Sequence, residues 1–265
     1  MYERVEAREA SLRIPAHTQQ NGAQTFFLRT TFAFLLATGI VSFIASIAAI
    51  KQGTQTETYS QILGCSICVV AAYHYYEILK VRATKQLSEF EADALRYGDW
   101  VVTMPLLTLK FYAVIDRQSG SYASLFSPGV AALAAALMVA LGSFVRLGLD
   151  ELSGWRRLTV TARVVGITSW ILSCICLLLL LIDITRAAHA HDKSGALFAF
   201  LYCWLGYPIV ALLATVWRHA DSVDTPYDQR LSTFKDAAFS CLDIFAKGVF
   251  ALWSSSAVFG INVFD

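Results

Sequence analysis

Charge is scarce in this chain. Lys, Arg, Asp and Glu supply only 15% of its 265 residues, against about 25% in soluble domains. That scarcity excludes an ordinary water-facing globule. The 56% apolar content and a mean hydropathy of +0.53 point instead to a chain that lives in a bilayer. Neither sign dominates: the net charge is +1, so nothing suggests a nucleic-acid partner. The chain also lacks a Gly-rich phosphate loop and any repeat of roughly 20–50 residues. All six cysteines lie in apolar stretches. Cys65 and Cys68 form a CxxC, but no second pair or His cluster accompanies them at zinc spacing, so they read as small apolar residues. His189 and His191 lie in a link with no third ligand in sight, which argues against a metal. A signal-peptide pattern is missing too, because a polar tail of about 25 residues precedes the first apolar run.

What is present is a series of long apolar runs. A membrane helix needs about 20 such residues. Seven runs qualify, at roughly 26–50, 58–80, 96–115, 125–147, 158–183, 194–217 and 231–257. This predicts an all-α membrane protein, a seven-transmembrane-helix up-down bundle with short links. It divides the chain into a polar tail over 1–25, a helical domain over 26–257 and a short tail over 258–265. The second run ends in Tyr73-His74-Tyr75-Tyr76-Glu77, which reads as an interfacial aromatic cluster. A polar, acidic loop is expected from Thr84 to Leu95. The fourth run is Ala-rich and should pack closely. Pro208 should kink the sixth helix.

Two stretches break the apolar pattern. The last run carries Asp243 and Lys247, four residues apart and so on one helical face. The third carries Arg96, Asp99 and Lys110. An ionised group at mid-bilayer costs about 3 to over 10 kcal/mol, so such residues usually face the bundle interior and mark a site. Alternative readings stand beside this one. Asp99 with Arg96 could be a structural ion pair, Lys110 could snorkel to the interface, and His74 could be one more interfacial residue.

These residues, taken together, resemble the microbial (type 1) rhodopsins, and most of all the proteorhodopsin-like proton pumps. The resemblance runs from the first helix to the end. It rests on Arg96-Tyr97-Gly98-Asp99-Trp100 through Pro105-Leu106-Leu107, on Trp204-Leu205-Gly206-Tyr207-Pro208, and on Asp243 with Lys247. It implies that Lys247 binds all-trans retinal as a Schiff base. Asp99 would then be counterion and proton acceptor, Asp243 the second carboxylate, and Arg96 a compensating charge. Thr103 lies one turn beyond Asp99. The retinal pocket would draw on Trp100, Thr103, Met104, Leu107, Met138, Gly142, Trp204, Tyr207, Pro208 and Asp243, and His74 would pair with Asp99. The position eleven residues after Asp99, usually an acid in these pumps, is Lys110 here. A buried lysine can relay a proton, and it can also act as a barrier.

Other positions depart from the pattern. Ala211 leaves room beside the ring of the chromophore, which Trp170 from the fifth helix is a candidate to fill. Val216 and Lys235 stand where some relatives carry a release acid, so Asp221, Asp224, Asp236 or the His74–Asp99 pair would release the proton. The leading expectation is a light-driven outward proton pump, not an enzyme. A photosensor with a slow cycle, a light-gated channel or inward carrier, and a retinal-free transporter are the rivals. The resemblance also implies a plasma-membrane homo-oligomer, trimer or pentamer, with its N-terminus outside. Loop charge disagrees. Lys51, Arg117, Arg186 and Lys193 fall on one side; Arg4, Arg8, Arg13, Arg82, Lys85, Arg156, Arg157, Arg218, Arg230 and Lys235 fall on the N-terminal side.

Overall fold

In hydrocarbon every backbone N–H and C=O must find its partner within the protein, which leaves helices as the economical way across. The structure is a computed structural model, and it describes residues 22–84, 89–116, 125–144, 160–189, 194–220 and 229–260. Among these residues there are seven helices and no strand. They are α1 Gly22–Gln52, α2 Gln55–Thr84, α3 Glu89–Asp116, α4 Pro128–Ser143, α5 Val160–His189 and α6 Ser194–Ala220. α7 runs in three registers: α-helical Gln229–Asp243, a π turn Ile244–Val249 and α-helical Phe250–Ser256, closed by a 3₁₀ turn Ala257–Phe259. Five of the described helices, α1, α2, α3, α5 and α7, are long and apolar enough to span a membrane. Described α4 and the middle of α6, Leu201–Ala214, are shorter apolar helices. α3 continues through Pro105 and α6 through Pro208.

Each helix packs on the next, and α1 packs on α7, so the bundle is a closed ring. Polar contacts at its two ends show the alternation of direction. Gln24 at the start of α1 donates to Ser232 and Asp236 at the start of α7, while Arg82 at the end of α2 pairs with the same Asp236. At the opposite end, the Gln52 amide of α1 donates to the Val258 carbonyl beyond α7 (3.5 Å). There too Asp183 of α5 accepts from the Tyr112 hydroxyl of α3 and from the Leu125 N–H just before α4.

Between helices in lipid there is little hydrophobic drive, so close approach of small residues matters. α4 accordingly buries Ala131, Ala132 and Ala135, as its Ala-rich run led us to expect. The main core gathers Trp100, Met104, Leu107, Phe111, Trp204, Tyr207 and Phe250. A second cluster joins Leu28 and Leu35 of α1 to Cys68, Ala71 and Tyr75 of α2.

Several boundaries differ from the sequence expectation. α2 continues to Thr84, and α3 begins at Glu89, so Asp93 and Leu95 are helical and not loop. α5 runs on to His189, which is the exposed last residue of that helix. α1 begins at Gly22, within the stretch read as tail. Residues 1–21, 85–88, 117–124, 145–159, 190–193, 221–228 and 261–265 lie outside the described residues, and with them both tails in large part, the end of the fourth run, the start of the fifth, and His191, Asp221 and Asp224.

Candidate functional site

α3 and α7 bring the two unusual stretches together at the centre of the ring. Lys247 is wholly buried, and its Nζ donates to Asp99 of α3. It also forms an ion pair with Asp243, one turn back on its own helix, at 2.9 Å. Buried charge is tolerated only when it is paired and hydrogen-bonded, and Asp243 is held from both flanks. Tyr75 of α2 donates to one oxygen (2.8 Å) and Tyr207 of α6 to the other (2.7 Å). Four helices therefore converge on one amine. Asp99 keeps its Oδ1 buried and without a hydrogen-bond partner among the described residues.

The aromatic and apolar side chains expected to line a pocket are buried together in one core. Trp100 (6% exposed), Trp204 (1%), Leu107 (0%) and Met104 (4%) lie in the central core. The Trp100 ring meets Tyr207 and Phe239 edge-on, each at 5.0 Å. Phe111 meets Trp204 edge-on at 5.3 Å and stacks on Phe250 at 4.4 Å. Met138 joins the same core, and its carbonyl accepts from Ser173 of α5 (2.8 Å). Gly142 faces α5 as well, since a Cβ there would lie 3.5 Å from Ser173 Oγ. Pro208 follows Tyr207 as a half-buried position.

Four expected positions lie elsewhere. Trp170 is 45% exposed on the outer face of α5, so it fills no gap beside Ala211; Ala211 instead lines a small cavity with Trp100, Phe239 and Arg96. Arg96 does not face Asp99. It turns to the start of α7, where it pairs with Asp236, and it lies 3.6 Å from Asp93 and over the Phe239 ring. His74 makes its hydrogen bond to the Val70 carbonyl of its own helix (2.9 Å). A carbonyl can only accept, so Nδ1 carries the proton, and the expected bond to Asp99 is absent among the described residues. The Thr103 hydroxyl bonds the backbone carbonyl of Asp99 (2.9 Å), not its carboxylate.

Lys110 does not snorkel. It is fully buried, and its Nζ donates to the Ser60 carbonyl of α2 at 2.9 Å.

The structure adds Tyr75 and Asp93, which sequence reasoning passed over, and gives Arg82, Lys235 and Asp236 a different setting from the one expected. Tyr75 was hidden in the aromatic run, yet it stands at helical spacing from Cys68, Ala71 and Ile78, the buried face of α2, whereas Tyr73 and Tyr76 are exposed. Asp93, Lys235, Asp236 and Arg82 form a buried ion cluster with Arg96. Lys235 pairs with Asp93 and Arg82 with Asp236, each at 2.8 Å. Asp236, one of the candidate release acids, is thus part of that cluster, while Lys235 and Arg82 lie inside the bundle and not in loops.

The comparisons with known proteins bear on the family and the fold. The chain matches the family described as Bacteriorhodopsin-like protein over residues 22–260. Among solved structures, the Exiguobacterium sibiricum rhodopsin superposes with a TM-score of 0.63 at 20% identity, covering 89% of this chain and 96% of that one. A blue light-absorbing proteorhodopsin from Med12 gives 0.62 at 17%, with 89% and 96% covered. A light-driven proton pump of Coccomyxa subellipsoidea gives 0.60 at 20%, with 90% and 98% covered. No curated protein sequence matches. At these identities the superpositions speak for the fold, and the family match speaks for descent. Because that match runs from the first described residue to the last, the chain belongs to the bacteriorhodopsin-like family of microbial rhodopsins.

Proposed function

We propose that the protein is a retinal-binding, light-driven outward proton pump. The observation that carries this reading is the Lys247 amine, buried against the Asp99 and Asp243 carboxylates. The residues fit a flat, apolar aldehyde joined to that amine. Trp100 and Trp204 are buried, and their indole nitrogens have no hydrogen-bond partner among the described residues, so both act as apolar walls. Retinal, bound to Lys247 as a Schiff base, supplies visible absorption and a light-driven isomerisation. All other steps belong to the protein's own groups.

Asp99 is the acceptor of the proton on the Lys247 nitrogen, because it touches that nitrogen and has an uncommitted oxygen. The Tyr75 and Tyr207 hydroxyls each donate to one oxygen of Asp243 and so fix its carboxyl group beside Lys247. The Arg96–Asp236 pair leads from Asp99 toward the end where α1 begins, and it supports exit on that side. Lys110, buried between Lys247 and the opposite end, returns a proton to the nitrogen. Outward transport requires the start of α1 to face outside, in a plasma membrane. The burial of Arg82 and Lys235 lowers the count of loop cations that argues otherwise. The exposed apolar faces of α1 and α5 suit lipid and neighbouring copies in a homo-oligomer, trimer or pentamer.

A slow photosensor is the second reading, favoured by Lys110 where pumps usually carry an acid. The test is a light-induced pH change in a suspension of cells that make the protein with retinal. Acidification of the medium, abolished by a protonophore, is the expected result. Alkalinisation would mean inward transport, and no change would mean a sensor.

A further inference from the structure

Between Lys247 and the end of the ring where α1 and α7 terminate lies a buried polar cluster drawn from four helices. Its centre is a residue with no side chain. A Cβ built on Gly64 of α2 would lie 2.7 Å from Lys110 Nζ and 3.3 Å from Ser42 Oγ of α1. Lys110 therefore occupies the volume that any other residue at position 64 would fill. In that space its Nζ reaches the Ser60 carbonyl at 2.9 Å and the Ser60 hydroxyl at 3.5 Å. Ser60 lies four residues before Gly64, on the same face of α2.

Ser42 faces Lys110 across this gap and continues toward α7. Its hydroxyl lies 3.4 Å from that of Ser255. The Ser255 hydroxyl is oriented by Gln61, whose Oε1 accepts from it at 2.6 Å, and Gln61 is itself fixed because its Nε2 donates to the Ser254 carbonyl at 2.9 Å. Ser42, Ser60, Gln61 and Lys110 are 0% exposed and Ser255 is 1% exposed. So much buried polarity in a membrane bundle is costly unless it is satisfied, and it marks a functional path by default.

We propose that Gly64 is the positioning residue for Lys110, and that Ser42 and Ser255 form the hydroxyl path through which Lys110 regains its proton. The proposal rests on the pump reading above. The Lys110 ammonium passes one proton toward the Lys247 nitrogen and is left a neutral amine. The Ser42 hydroxyl gives it a proton and takes one from Ser255, whose O–H first turns from Gln61 Oε1 and the Ala251 carbonyl (2.8 Å) toward Ser42; Ser255 is refilled from the solvent at the end marked by Gln52 and Val258. One proton enters for each one passed on, and no electron moves.

A Cβ at position 64 would push the amine off the Ser60 carbonyl while leaving Asp99, Asp243 and Lys247 untouched. The test is flash photolysis of purified pigment in lipid vesicles with a pH-sensitive dye. Gly64→Ala should keep the dark visible band and the rise of the deprotonated state. It should slow the decay of that state on the order of 100-fold, as a displacement of about 1 Å does to a transfer group. Azide, a small diffusible acid, should restore the decay. The Gly64→Ala/Lys110→Ala double variant should be no slower than Lys110→Ala. Ser255→Ala, which removes only a hydroxyl, should leave the decay alone and delay the later uptake seen by the dye.

Wild-type decay in Gly64→Ala, slowing that azide does not relieve, or a double variant slower than Lys110→Ala would overturn the role of Gly64. If Gly64→Ala forms no band, unchanged uptake in Ser255→Ala still overturns the path. The two readings fail separately. A wild-type protein without a visible band or outward flux defeats the pump assignment. A pumping wild type with unaltered variants defeats this inference alone.

Discussion

Replacing Tyr75 by Phe probes the site through one atom. Tyr75 and Tyr207 donate to different oxygens of Asp243, at 2.8 and 2.7 Å, and both rings are buried. Two magnitudes compete. Interhelical hydrogen bonds in membrane proteins average only about 0.6 kcal/mol, because the alternative state also finds partners. A hydrogen bond to a charged group is worth about 1.5–3 kcal/mol. The second should win here, because Asp243 is 1% exposed and water cannot replace the lost donor. Tyr75→Phe should therefore cost about 2 kcal/mol, or roughly 4–8 °C in the midpoint of thermal bleaching. The carboxylate, less well solvated, should also hold positive charge nearer to Lys247, raise the excitation energy and shift the band to the blue. Tyr207→Phe should behave alike. Because both hydroxyls serve one carboxylate, the double variant should depart from additivity. The assay is bleaching followed at the visible maximum, with spectra of all four proteins at the start. A Tyr75→Phe protein with wild-type colour and wild-type midpoint would refute the reasoning.

Other outcomes follow from the same geometry. Lys247→Ala should show no visible band after incubation with retinal; a coloured protein would remove the attachment point assigned here. Asp99→Asn should absorb to the red of wild type and move no protons in the cell-suspension assay, since the acceptor oxygen beside Lys247 is lost. Asp183→Leu strands the Tyr112 hydroxyl and the Leu125 N–H, each worth about 1–3 kcal/mol when orphaned, so bleaching should occur at lower temperature with unchanged colour. Trp170→Ala, on the outer face of α5, should leave the absorption maximum where it is; a shift would return that ring to the pocket.

Much of the site could be read from spacing. Asp243 and Lys247 are one turn apart in an apolar run, and such an arrangement rarely serves packing. Asp99, Trp100, Trp204 and Tyr207 followed by resemblance; Asp99 touches Lys247, Tyr207 holds Asp243, and the two Trp rings lie in the same buried core as Tyr207. What escaped notice was polarity that is satisfied only in three dimensions. Asp93 read as loop, Arg82 and Lys235 as cations of the N-terminal side and Asp236 as a candidate release acid, yet the four neutralise one another and Arg96 inside the ring. The borders of α2 and α3 were misplaced for that same reason. Arg96 was assigned to Asp99 by proximity along the helix, while its side chain runs the other way, to Asp236. Tyr75 was concealed by neighbours of its own kind. Gly64 could not be recognised at all, because the meaning of a missing side chain lies in what fills its place.

The π turn at Ile244–Val249 carries a further implication. A widened turn holds one residue more than the α-helix on either side, so it takes up that residue without turning the rest of the rod. Cutting one residue from it would close it to an ordinary α turn and leave the phase of the rod unchanged. Ser254 and Ser255 would still meet Gln61, and Phe250 would still stack on Phe111. Adding one residue to the α-helical part before it, with the π turn kept, would instead rotate everything beyond by about 100° and swing those side chains off their partners.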